Sequence, residues 1–126
     1  MLEDRPSAAM LPASDMERAK SWYADKLDMK PSFENEGGAE YKTAEGTEFW
    51  IYPSQFAGTN QATAMGFMSK DLSAEMDELK SQGVTFEEYE TPKTVDGIAQ
   101  MPAGRAAWFR DPEGNLIGMI EMNEAR

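Results

Sequence analysis

The chain contains no histidine and no cysteine. It therefore lacks the usual near-neutral base, the thiol nucleophile and the two commonest soft metal ligands. Its chemistry rests on carboxylates and aromatic rings. Glu48, Trp50 and Tyr52 alternate along Glu48–Pro53, a segment whose aromatic and β-branched content predicts a strand. Alternation places the three side chains on one face. Two flat rings there would suit contact with a planar ligand. For acid–base chemistry the candidates are Glu48, Tyr52 and Tyr41. A carboxylate base would need burial to raise its pKa toward neutrality. Trp108 and Phe109 are consecutive, so one faces a ligand cavity and the other packs beneath a helix, and the sequence leaves open which.

The elements that must position these residues come in two similar sets. "SDMERAKSWYADKL" begins at Ser14 and "KDLSAEMDELKSQG" at Lys70. Each follows an apolar, strand-like segment, and such self-similarity indicates two copies of one supersecondary unit. Asp15 and Asp71 are the expected helix N-caps. Met16, Ala19, Tyr23 and Leu27 recur at helical spacing, which marks Tyr23 and its neighbour Trp22 as core residues. Strands are expected at residues 7–12, 30–35, 39–43 and at Glu48–Pro53. The second unit repeats the order: a strand at Thr63–Met68, a helix bearing Leu72, Met76 and Leu79 that stops at Gly83, and a strand at residues 84–89. A hairpin of residues 106–110 and 116–121 follows, turning at Asp111-Pro112-Glu113-Gly114-Asn115. The irregular stretch 90–105 admits a short strand at Ile98–Met101 and has the length of a binding loop. One domain results, with module one at 1–58 and module two at 59–126.

Composition narrows the function. A net charge of −11 opposes nucleic-acid binding, which needs clustered Lys and Arg. It is compatible with a cationic small molecule, but spread as it is along the chain it serves solubility first. No segment reads as a signal peptide or a membrane span, and the absence of cysteine fits a reducing interior. A cytoplasmic protein without disulfides is expected. The ten methionines read as ordinary core filling.

The β-α-β-β-β order twice over, the segment "SDMERAKSWYADKLDM" and the segment "AAWFRDPEGNLIGMIE" together resemble the vicinal oxygen chelate superfamily. That group includes glyoxalases, extradiol dioxygenases and bleomycin-resistance proteins. The resemblance spans essentially the whole chain. It implies an α+β fold in which the two modules form a cup-shaped mixed sheet around a ligand. In metal-dependent members, His or Glu ligands project from the first and last strands of each module. The matching positions here are Ala8, Ala64 and Gly118, with the fourth near Trp50 or Tyr52. None of the first three can coordinate, and Glu121, on Gly118's strand, points to the opposite face. The resemblance is thus to the metal-free, bleomycin-resistance-like branch, with no metal and no cofactor.

It implies a cytoplasmic homodimer that sequesters a planar or aromatic hydrophobic molecule, of antibiotic type, at Met10, Trp50, Tyr52, Phe56, Met68, Trp108 and Gly118. Neither nucleic acid nor membrane is an expected partner. The alternative is a metal-independent lyase, isomerase or cyclase on the same scaffold.

Overall fold

The computed structural model of the chain describes residues 1–123. Strand β1 (Ala9–Ala13) buries Leu11 and Ala13 and turns Met10 and Pro12 outward. Asp15 then caps helix α1 (Met16–Leu27), its carboxylate accepting the Arg18 N–H at 3.0 Å. Strands β2 (Phe33–Asn35), β3 (Gly38–Lys42) and β4 (Glu48–Pro53) complete the first unit. They form a sheet in the order β1-β4-β3-β2, with β1 and β4 parallel and the other neighbours antiparallel.

The second unit copies this plan. Strand β5 (Thr63–Met68) precedes helix α2 (Leu72–Ser81), which Asp71 caps through the Ala74 N–H at 3.2 Å. Gly83, at a φ of +96°, follows the helix and takes the left-handed conformation expected of a stop. Strands β6 (Thr94–Val95), β7 (Ile98–Met101), β8 (Gly104–Arg110) and β9 (Leu116–Met122) follow. The sheet order is β5-β9-β8-β7-β6, again with the first and last strands of the unit parallel. The fold is α+β, with the cup built from two mixed sheets.

One core joins the units. Tyr23 of α1 packs on Tyr41 and Phe49, with ring centroids 5.7 and 5.9 Å away. Trp22 reaches Phe109 of the second sheet at 6.1 Å, and Phe49 meets Phe67 edge-on at 6.2 Å. The turn after β8 clamps the same boundary. The Glu113 carboxylate is buried and accepts from the Ser14 N–H and hydroxyl, the Asp15 N–H and the Arg18 guanidinium. Burial alone would oppose its ionisation. The donors from Ser14 and Arg18 outweigh that and hold its pKa below the usual carboxylate range. The Tyr23 hydroxyl donates to Asp111 at 2.8 Å, and the Asn115 amide donates to the Pro12 carbonyl at 3.0 Å.

Two expectations need correction. Residues 84–89 do not form a strand: they touch β8 through one bridge, Phe86 to Phe109, with the Glu87 N–H bonded to the Trp108 carbonyl. The edge of β8 is shared, because β7 pairs with its first half. Thr94 then draws the chain off the sheet by bonding the Tyr89 backbone in both directions. The short β6 forms just beyond and pairs with β7, an addition to the expected strands. Tyr41 is the second correction. Its register opposite Phe49 turns it into the core, where it is 1% exposed and stacked on Phe49 at 5.0 Å.

Candidate ligand-binding site

The faces of the two sheets that turn away from the helices carry the aromatic residues singled out above. On the first sheet, Met10, Trp50, Glu40 and Phe33 lie in register across β1, β4, β3 and β2. Met10 is 53% exposed, and Phe33 meets Trp50 edge-on at 6.2 Å. Tyr52 lies two positions further along β4 on the same face. Glu48 accepts the Trp50 indole N–H at 3.0 Å, so one carboxylate oxygen is already engaged. The Ser32 hydroxyl and the neighbouring Glu48 carboxyl hold the Glu40 pKa below its ordinary value. This face is aromatic, open and acidic.

The second sheet has a hollow. Trp108 is half-buried above it, while Phe109, 1% exposed, lies on the opposite side against Trp22 and Phe86. Trp108, not Phe109, therefore faces the candidate ligand cavity. Gly118 sits opposite Trp108 in the β8–β9 ladder. A Cβ at Gly118 would come within 3.3 Å of both the indole nitrogen and the Thr63 methyl. The missing side chain lets the indole lie down on the sheet. Its N–H donates to the Thr63 hydroxyl at 3.1 Å, and Tyr89 meets it edge-on at 5.8 Å. The hollow holds about 310 Å³. Leu116, Ala62 and Pro92 add apolar wall, and Gln61, Thr91 and Arg110 add polar groups.

The structure thus brings Met10, Trp50 and Tyr52 together on one face and Trp108 and Gly118 together on the other. Met68 ends β5 and, by alternation, shares the side of Gly66. It is exposed and also borders a separate hollow formed with Leu27, Met29 and Leu79. Phe56 is 66% exposed in the linker.

Sequence reasoning missed Tyr89, Thr63 and Arg110. Tyr89 lies in a segment whose composition predicts a regular strand, and Thr63 is the first residue of another. The alternation of Trp108 with Arg110 was a usable signal for the latter. Of the acid–base candidates, Tyr41 is withdrawn from any open face. Burial pushes its pKa up to about 12. Its hydroxyl has no hydrogen-bond partner among the described residues.

The donor set of the metal-dependent members does not fit here. Ala8, Ala64 and Gly118 offer no coordinating atom. Glu121 turns to the helix side, where it accepts the Leu72 N–H at 2.7 Å and pairs with Arg105 at 2.9 Å. Among the described residues no three His, Cys, Asp or Glu side chains converge as ligands would. Nor is any helix among them long and apolar enough to cross a membrane.

Residues 5–119 match the model of the Glyoxalase/Bleomycin resistance protein/Dioxygenase superfamily. The chain belongs to this superfamily. No curated protein matches it. Among solved structures it is similar to UcmS2, with a TM-score of 0.72 and 18% identity over 92% of this chain and 96% of that one. It is similar also to TnmS3, described as an antibiotic binding protein from Streptomyces sp. CB03234. That likeness has a TM-score of 0.71 and 21% identity, over 95% of this chain and 98% of that one. A glyoxalase/bleomycin resistance protein from Catenulispora Acidiphila DSM 44928 matches with a TM-score of 0.66. It is 25% identical over 93% of this chain and 97% of its own. At these identities the superfamily's shared fold is what carries over.

Proposed function

We propose that this protein binds and sequesters a planar or aromatic hydrophobic small molecule, of antibiotic type, without metal and without altering it. The observation that carries the reading is the hollow in which Trp108 lies over Gly118 with Tyr89 edge-on. A flat ring entering it meets an indole face, a phenol edge and apolar wall, and the buried area is the main source of affinity. The antibiotic-binding description of TnmS3, a relative in fold, supports the same reading.

The protein acts as a homodimer of single-domain chains in the cytoplasm. Each chain comprises modules 1–58 and 59–126. A second copy has an apolar surface to cover: Met10, Phe33 and Met68 are all exposed on the outer faces or their edges. Met10, Trp50 and Tyr52 contribute contacts from the first sheet, and Met68 and Phe56 lie at the periphery.

The test is a titration with planar aromatic natural products, followed by Trp fluorescence, with the ligand recovered and weighed by mass spectrometry. Saturable quenching with unchanged ligand supports sequestration. A product of altered mass would instead establish a lyase, isomerase or cyclase, and the search for its base would begin at Glu48.

A further inference from the structure

The hollow over the second sheet differs in charge from its surroundings. The chain carries −11 overall, and three other hollows on its surface each include at least one carboxylate: Glu88 and Asp96, Glu75 and Glu78, or Asp96 alone. The hollow beside Trp108 has none, and Arg110 is the one charged group in its lining. Arg110 and Trp108 are two positions apart on β8, so both project to the same side.

The guanidinium is held but not used up. Its Nε donates to Glu87 at 3.1 Å and its Nη1 to the Gly114 carbonyl at 2.9 Å. The Tyr89 hydroxyl, which also reaches Glu87 at 3.5 Å, lies beside the guanidinium and interacts with it, so an incoming acceptor would share Arg110 with Tyr89. Two anchors fix the planar fork, which lowers the entropy lost when the remaining N–H groups meet a partner. Arginine donates five N–H bonds and accepts none, so that partner must be an acceptor.

We propose that the hollow selects planar aromatic ligands bearing an oxygen acceptor on one edge, a carboxylate or a carbonyl, and that Arg110 binds that oxygen. The ring lies against Trp108 and Tyr89, and the oxygen points along β8 to the guanidinium. Glu87 offsets part of the arginine charge. It thereby sets how strongly a carboxylate is preferred over a neutral carbonyl. A cationic edge is rejected here, although the net charge of the chain would attract it from a distance. This inference rests on the hollow being the ligand site.

The test uses calorimetric titration of the full chain at 0.15 M salt, where long-range repulsion is screened over about 8 Å. The probes are 2-methylnaphthalene, 2-acetylnaphthalene, 2-naphthoate and 2-(aminomethyl)naphthalene. In the wild type, naphthoate should bind about tenfold more tightly than 2-methylnaphthalene, as a charge-assisted bond warrants. Acetylnaphthalene should fall between them and the amine below all three. Arg110→Gln should bring naphthoate down to the level at which the same variant binds 2-methylnaphthalene. Glu87→Gln should act in the opposite sense and tighten naphthoate, a gain that simple damage to the fold would not produce. Equal binding of naphthoate and 2-methylnaphthalene in the wild type would overturn the role of Arg110, as would a preference that survives Arg110→Gln or a tighter amine. If no probe binds, the ligand-site reading itself fails and this inference falls with it.

Discussion

Trp50 and Trp108 each lie on the outward face of a sheet in their own module, Trp50 on β4 and Trp108 on β8, the counterpart of β3, and their surroundings differ. Trp50 stands on an open sheet between Met10 and Phe33, its indole N–H bonded to Glu48 and Glu40 close by. Trp108 lies above a glycine, its N–H bonded to neutral Thr63, with Tyr89 and Arg110 at the rim. The duplicated plan is shared. What distinguishes the modules is the residue beneath the indole and the loop beside it. In the first unit residues 28–32 link α1 directly to β2. In the second, the chain between α2 and β7 swings past β8 and brings Tyr89, Thr91 and Pro92 over the sheet. The glycine beneath Trp108 and the long segment after α2 together shape the hollow on the second sheet.

The largest effect should come from the clamp that holds the two faces in place. Glu113→Ala removes the acceptor of five hydrogen bonds from Ser14, Asp15 and Arg18. Leaving those donors unpaired should cost roughly 2–3 kcal/mol in denaturant unfolding. Because the folded-state pKa of Glu113 is depressed, its contribution is complete above the unfolded value, about 4.3. It is lost as pH falls through the folded value. Melting curves between pH 7 and pH 3 should therefore decline less steeply for Glu113→Gln than for the wild type.

Next comes Trp108→Ala, which removes the flat wall of the hollow. We expect about 2 kcal/mol, near thirtyfold, in affinity for a planar aromatic ligand. Trp50→Ala, on the open face, should cost about 1 kcal/mol or less by the same titration, and equal losses at the two positions would erase the contrast between the faces. Gly118→Ala places a methyl 3.3 Å from the indole. It should lift the ring and weaken binding severalfold, with a stability loss of about 1 kcal/mol. The smallest change is Tyr41→Phe, which deletes a buried hydroxyl that has no partner among the described residues. The melting temperature should hold or rise slightly, and ligand affinity should not change.

Much of this was legible in the sequence because it is local. Asp15 and Asp71 cap where their spacing to the apolar helical run says they must. The Asp-Pro-Glu-Gly-Asn turn forms a hairpin for reasons contained in its own five residues. The common face of Glu48, Trp50 and Tyr52 follows from alternation alone. Tyr41 could not be placed that way, since its side depends on its register against Phe49 in another strand. Arg110 shares the face of Trp108 by alternation along β8, so its side was legible, while its partners Glu87 and Gly114 were not. Tyr89 joins the site through Thr94 and the irregular path after α2, a tertiary choice that no local pattern encodes. The roles of Asp111 and Glu113 went beyond a turn for the same reason: their partners, Tyr23, Ser14 and Arg18, lie in the other module.

The most direct measurement is a paired titration of the wild type and Trp108→Ala with a panel of planar aromatic compounds, with the mass of the recovered ligand determined. Sequestration at the hollow predicts saturable binding by the wild type, an unchanged ligand, and a loss near thirtyfold in the variant. Binding that is indifferent to Trp108, or a ligand returned chemically altered, would contradict it.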